Sequence, residues 1–267
     1  MVNKKVLIIS SEVTPYLPQT QKSINSFRIP KRVNEVGGQT RIFMPLYGMI
    51  NERRHQLHEV IRLSGMNVVI NDLDMPLIIK VASIPKERIQ VYFIDNEEYF
   101  KRKGVLKDSK GNLFKDNDER MIFFTKGVIE TVKKLNWSPD IIHLHGSFTS
   151  LFPLYMKTYF ADEPIFNSSK IITSIYIKDF ENNLSNNLHA KILFDNIPSE
   201  VINPLINPTY ESLMEMAINN SDGIVFSEDK VCSSLKDLAI KSEKPVLQFE
   251  DIASEDSYIN FYNSHII

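Results

Sequence analysis

The chain has 267 residues, of which 43% are hydrophobic and 24% charged, proportions that are ordinary for a globular protein. Its 31 basic and 33 acidic side chains leave a net charge of −2, which weighs against a nucleic-acid partner or an anionic membrane. The single cysteine, Cys232, excludes an internal disulfide. No apolar run is long enough for a signal sequence or a membrane span, so we expect a cytoplasmic protein with no membrane partner.

Short apolar runs bounded by charged or turn residues alternate along the chain with segments of helical periodicity. The predicted strands are Lys5–Ser10, Thr40–Met44, Met66–Ile70, Leu77–Ala82, Ile89–Ile94, Asp140–Gly146, Lys170–Tyr176, Gly223–Phe226 and Pro245–Phe249. The predicted helices are Ser23–Val36, Asn117–Leu135, Thr149–Tyr159, Leu188–Phe194, Thr209–Asn219, Glu228–Lys241 and Ser257–Asn263. Because strands alternate with helices, we predict an α/β fold with a doubly wound, mostly parallel sheet.

Two features refine this assignment. Pro30 lies inside the first predicted helix, so that helix is expected to be kinked there or to begin there. No repeat, low-complexity linker or shift in composition divides the chain, which favours a single domain over residues 1–267.

The first strand and the loop after it are the best candidate for the start of a functional site. Ligands of open α/β sheets bind beyond the carboxyl ends of the strands, and Ser11 and Glu12 follow Lys5–Ser10 directly. On position alone, Glu12 is equally compatible with capping a helix or facing water.

His143 and His145 are two residues apart on a predicted strand, so their rings should lie on the same face of the sheet. Such a pair is suited to a metal, a sugar or a phosphate, or to a structural role, which fits His143 best. A zinc site needs three or four ligands, and no third ligand falls at suitable spacing nearby, so we expect no metal. No glycine-rich dinucleotide or phosphate loop is present either, and we expect no cofactor.

Several blocks of sequence, in order, closely resemble the N-terminal, starch-synthase-type domain of bacterial glycogen and starch synthases. These blocks are KVLIISSEVTPY, TRIFMPLYG, VYFIDNEEYFKRKG, DNDERMIFFTKGVIETVKKLNWSPDIIHLHG and TSLFPLY. The likeness is clear over about residues 4–176 and looser to about residue 230. The short, stand-alone members of the family are similar over the whole length, including KPVLQFE near the end.

The resemblance implies a GT-B glycosyltransferase, in which two Rossmann-like domains close over a cleft. In that family a glucosyl unit passes from a nucleotide-glucose to the non-reducing end of an α-1,4-glucan. The chain resembles the first domain, so we expect the C-terminal donor-binding domain to be absent from residues 1–267. The substrate-binding candidates that the resemblance implies are Glu12, His143, His145, Gly146 and Tyr176. No residue is assigned a catalytic role.

Three blocks depart from the family pattern. The position of its Lys-x-Gly-Gly loop is held by Pro18, Gln19, Thr20 and Gln21. The His-x-His-Asp-Trp motif is reduced to His143-Leu144-His145-Gly146-Ser147, and Tyr176 replaces the histidine of Thr-x-His-Asn. Without the loop lysine and its glycines, nucleotide-glucose binding is expected to be weak.

Three hypotheses for function follow. The chain is a glucosyltransferase, with a partner chain supplying the donor half. Alternatively, it is a catalytically degenerate module that binds α-1,4-glucan or maltooligosaccharide. In the third hypothesis it is a regulatory or scaffolding subunit that contacts a protein partner through the Arg53-Arg54 region and exposed aromatic side chains.

Overall fold

The computed structural model describes residues 1–185 and 187–267. The strands are β1 (Lys5–Ser10), β2 (Gln39–Pro45), β3 (His58–Glu59), β4 (Met66–Ile70), β5 (Leu73–Ser83), β6 (Gln90–Asp95), β7 (Ile141–His145), β8 (Lys170–Ile175), β9 (Gly223–Phe226) and β10 (Val246–Leu247). The helices are α1 (Gln21–Glu35), α2 (Glu97–Phe100), α3 (Asn117–Leu135), α4 (Leu151–Lys157), α5 (Leu188–Leu193), α6 (Ser199–Ile202), α7 (Tyr210–Asn220), α8 (Ser233–Lys241) and α9 (Glu255–Phe261). A π-helical turn, Tyr262–Ile266, follows α9.

The sheet has the order β10-β9-β8-β7-β1-β2-β6-β5-β3, with β4 paired to β5. From β10 to β6 every pairing is parallel, and β1 lies between β2 and β7. Every residue of β7, and every residue of β1 except Lys5, is buried, and most of these side chains are apolar, as expected for central strands covered on both faces. The predicted doubly wound, mostly parallel α/β fold is therefore confirmed.

The antiparallel part of the sheet begins at β5. Ile70 pairs with Leu73, so only Asn71 and Asp72 connect β4 to β5, and Asn71 has a positive φ of 54°. A two-residue connection joins antiparallel strands, since a parallel crossover needs many more residues. No helix among the described residues is both long and apolar enough to cross a membrane.

The first helix differs from the sequence-based expectation. It begins at Gln21 and continues through Pro30 to Glu35, so the alternative in which it begins at Pro30 is wrong. Thr20 fixes its start: the Thr20 hydroxyl accepts a bond from the Ser23 backbone N–H at 3.0 Å. The Ser23 hydroxyl in turn accepts from the Thr20 N–H at 2.8 Å, which completes a capping box.

Replacing Thr20 by Val removes the capping oxygen and preserves the shape of the side chain. We expect the free energy of unfolding to fall by about 1 kcal/mol, the usual value for a lost N-cap. Thr20→Ser keeps the oxygen and should match the unmodified chain in urea denaturation. Equal stability of the Val and Ser variants would show that the cap contributes nothing.

Candidate functional site at the carboxyl edge of the sheet

The sequence-predicted site residues come together around three adjacent strand ends. β7 lies between β1 and β8, with Ser10 paired to His145 and His145 paired to Ser174. Glu12, Gly146 and Tyr176 follow the ends of these three strands, and His145 is the last residue of β7. His143 lies two residues deeper in the same strand. The polar side chains therefore meet at the edge where α/β proteins bind ligands.

His145 is completely buried and contacts Tyr176. The His145 Nδ1 and the Tyr176 hydroxyl are 2.7 Å apart, and the Asn25 amide also reaches that hydroxyl, at 3.4 Å. The His145 Nε2 has no hydrogen-bond partner among the described residues. Tyr176 is itself only 3% exposed, so both partners of this contact are buried.

His143 belongs to a second buried set of hydrogen bonds. Its Nδ1 lies 2.6 Å from the Tyr262 hydroxyl, and its Nε2 lies 2.8 Å from the Ser174 hydroxyl. Burial lowers the pKa of His143 to about 3. Burial, together with His143 and the charge of Lys22, also holds the pKa of His145 well below its usual value. Both imidazoles are therefore neutral at physiological pH, with their ring centres 4.3 Å apart.

Lys22, in the first turn of α1, carries the charge at this edge. Its ammonium lies 3.1 Å from the Glu12 Oε1 and 3.0 Å from the Asp179 Oδ2, and the residue is only 7% exposed. Burial alone would lower the pKa of Lys22, but the two carboxylates more than offset it and raise the pKa above its ordinary value. Glu12 also accepts a bond from the Thr20 hydroxyl, and Asp179 accepts one from Ser147.

Gly146 is the residue that leaves room for this ammonium. Its φ is +81°, and a Cβ placed there would lie 2.6 Å from the Lys22 Cε. A non-glycine side chain would therefore meet both backbone strain and a direct clash.

In front of the ion-paired cluster lies an open groove of about 220 Å³. It is lined by Glu12, Val105, Leu106, Lys107 and Asp179. Of the five predicted site residues, only Glu12 lines this groove. His143, His145 and Tyr176 are buried behind it and Gly146 lies against Lys22, so substrate contact by these residues stays a prediction.

Sequence reasoning missed Lys22 and Asp179. Lys22 is a lone lysine at the start of an amphipathic helix, a position at which lysines are usually exposed. Asp179 lies four residues beyond β8, in a segment without regular periodicity. One feature of the sequence could have pointed to Lys22 as a site residue. It directly follows Pro18–Gln21, the positions that align with the Lys-x-Gly-Gly loop of the family.

Replacing Gly146 by Ala should destabilise the chain by the strain of its backbone conformation (φ 81°, ψ 177°), on the order of 1–3 kcal/mol, plus the cost of displacing Lys22. Gly111→Ala is a matched control, since Gly111 has a φ of +85° with nothing near its Cβ position. We expect the Gly146 variant to lose clearly more stability in urea titrations. Equal losses would show that Lys22 is not held against this turn.

The buried neutral histidines make stability depend on pH. The unfolded chain protonates its histidines near pH 6.5, while His143 stays neutral down to about pH 3 in the folded state. The contribution of this neutral histidine to the stability of the folded chain is therefore fully present above pH 6.5, and it is lost as the pH falls from 6.5 towards 3. Between pH 7 and 5 the buried His143 should cost about 2 kcal/mol of stability, and His145 changes stability in the same direction. A His143→Gln variant should show a shallower loss over that range; an unchanged slope would contradict the assignment.

Comparison with known proteins identifies the fold and the family. A family model described as the starch synthase catalytic domain matches residues 5–238. The catalytic domain of starch synthase IV from Arabidopsis thaliana, solved bound to ADP and acarbose, superposes with a TM-score of 0.74 at 15% identity. The match covers 92% of this chain and 51% of that one, and it supports the GT-B type of fold.

Several glycogen synthases are related to this chain in sequence. The enzyme of Chlorobium luteolum is 42% identical over 175 residues, which cover 65% of this chain and 36% of the relative. That of Pelodictyon phaeoclathratiforme is 33% identical over 237 residues, or 88% of this chain and 48% of the relative. The chain thus spans half or less of the length of these proteins. Because the family model matches most of the chain, the chain belongs to the starch synthase catalytic domain family of glycosyltransferases.

Proposed function

We propose that this chain acts in storage-glucan synthesis as a glycogen/starch-synthase-type protein that binds the α-1,4-glucan acceptor at the carboxyl edge of its sheet. Support comes from its relatives, which are named glycogen synthases, and from the groove in front of Glu12 and Asp179. Carboxylate oxygens accept several hydrogen bonds each, and sugar hydroxyls donate them. The reaction to which this binding contributes is glucosyl transfer from a nucleotide-glucose to the glucan.

The observation that favours the acceptor over the donor is the pairing of Lys22 with two carboxylates. One ammonium between Glu12 and Asp179 leaves the cluster with one surplus negative charge. Lys107 also lines the groove and offsets this surplus, so the lining as a whole carries no net positive charge for a diphosphate. Lys22 is already committed to its two partners, and a neutral sugar needs no positive charge to bind. The starch synthase IV structure was solved with both ADP and acarbose, and the groove proposed here is assigned to a ligand of the second kind, a sugar.

The same observation supports a second candidate function, that of a glucan-binding subunit with no transferase activity of its own. Preorganised positive charge on the leaving diphosphate is the main contribution of such a transferase site. Here Thr20 and Gln21, aligned with the family's two glycines, form the cap and first residue of α1 instead of an open phosphate loop. Donor contacts would then come from another part of the protein or from a partner chain.

We expect isothermal calorimetry to detect maltoheptaose binding by this chain and no sub-millimolar binding of ADP-glucose. Transfer of labelled glucose from ADP-glucose or UDP-glucose to glycogen should be negligible with the purified chain alone. We expect this because Pro18 stands where the family has the loop lysine, whose positive charge would stabilise the leaving diphosphate. Tight donor binding with turnover would refute the acceptor-side proposal and establish a self-sufficient transferase. Binding of neither ligand would favour the protein-partner hypothesis.

The Glu12→Gln/Asp179→Asn double variant tests the electrostatic argument directly. It frees Lys22 and changes the cluster from one surplus negative charge to one positive charge. ADP should bind this variant several-fold more tightly than the unmodified chain, while maltoheptaose binding weakens. Glu250→Gln/Asp251→Asn makes the same change in net charge at exposed positions away from the groove and should alter neither. Equal ADP binding in both double variants would contradict the role given to Lys22.

A further inference from the structure

A second groove lies on another part of the molecule. It has a volume of about 360 Å³ and is bordered by strand β4, helix α3 and the residues that follow α4. Its lining includes Asn67, Val69, Lys126, Glu130, Tyr159 and Phe160. It shares no lining residue with the groove at Glu12 and Asp179.

The side chain that distinguishes this groove is Tyr159, which is 50% exposed. The Phe160 ring packs edge-on against it with 4.7 Å between ring centres, and the Lys126 Nζ lies over it at 4.8 Å. These contacts hold the exposed ring in place before any ligand arrives. A fixed aromatic surface loses little side-chain entropy on binding. Val69, 46% exposed, extends the apolar surface.

The charges in the groove are compensated internally. The Lys126 ammonium pairs with Asp195 at 2.5 Å and donates to the Val69 carbonyl at 2.8 Å. Glu130 pairs at 3.0 Å with Lys133, which also pairs with Glu163 outside the groove. The lining itself carries one positive and one negative side chain, Lys126 and Glu130, whose charges cancel, and it offers hydrogen-bonding atoms that include the exposed Asn67 amide. That combination suits an uncharged, hydroxyl-rich ligand and gives no advantage to a phosphate or a charged peptide.

We infer that this groove is a second binding site for α-1,4-glucan, with the apolar face of a glucose ring stacked on Tyr159. The hydroxyl groups at the rim of the sugar would bond to Asn67 and to Glu130. An aromatic wall with a few placed polar groups is the usual make-up of a small-ligand site. The choice of glucan as the ligand rests on the proposed function, whereas the site itself is separate. Two sites on one chain would let it stay on a branched glucan between encounters at the carboxyl edge.

Native gel electrophoresis through glycogen-containing gels measures this retention directly. Tyr159→Ala removes the stacking surface, and we expect the apparent dissociation constant for glycogen to rise roughly tenfold, the effect of losing one well-packed aromatic contact. Tyr159→Phe keeps the ring and should stay within about twofold of the unmodified chain. Phe194→Ala is the matched control, since Phe194 is an equally exposed aromatic side chain (51%) that does not line the groove.

The outcomes separate this inference from the proposed function. If the unmodified chain binds no glucan, both fail. If it binds glycogen and Tyr159→Ala binds equally well, only the second site is overturned. Analytical ultracentrifugation at several protein concentrations completes the test. If the unmodified chain forms a dimer and the Tyr159→Ala variant does not, the groove binds a second copy of the chain, and the inference is overturned. Weakened glycogen retention in a chain that remains monomeric, with normal binding by Phe194→Ala, would support it.

Discussion

The ion pairs of Lys22 with Glu12 and Asp179 are the interaction on which the carboxyl edge of this protein depends. They join the loop after β1, the first turn of α1 and the segment after β8. A buried ammonium is costly unless it is compensated, and removing one partner of a buried pair leaves an uncompensated charge. The geometry around the ammonium follows from this constraint. Gly146 leaves it space, while Thr20 and Ser147 hold the two carboxylates through their other oxygens.

The neutral histidines behind the ion pairs are part of the same electrostatic arrangement. Burial is the main reason that the pKa of His145 is held low, and the neighbouring His143 and the charge of Lys22 lower it further. The Nδ1 atom of each imidazole contacts a tyrosine hydroxyl, and the His143 Nε2 contacts the Ser174 hydroxyl. One of them, Tyr262, lies beyond the residues 5–238 matched by the family model, and it bonds to His143 at 2.6 Å. The polar core of the site is thereby completed by the C-terminal end of the described chain.

Local signals predicted much of the fold. The bounds of β1, β4, β9 and α3 match the structure because each has a clear apolar pattern and a sharp turn or cap at its ends. The four-residue helix α2 was missed, since a single turn capped by Asn96 is too short to show periodicity. α8 begins at Ser233 and not at Glu228, because charged and small residues at its start carry no apolar stripe.

The site was less predictable than the fold. The positions of Glu12, His145, Gly146 and Tyr176 followed from strand order and from the family resemblance, and the structure brings them to one edge. Their partners did not follow, because contacts such as Lys22 with Asp179 join residues 157 positions apart. No local pattern records which distant carboxylate will neutralise a lysine. The burial of both histidines is likewise a tertiary property.

We propose that Lys22 is committed to Glu12 and Asp179 and is not available to a diphosphate. Nuclear magnetic resonance of the lysine ammonium groups in the ¹⁵N-labelled chain tests it most directly, with Lys22→Arg used to assign the signal. We expect a Lys22 ammonium signal that is protected from solvent exchange and unchanged when ADP is added. A signal that exchanges like those of exposed lysines, or that shifts on addition of ADP, would contradict it.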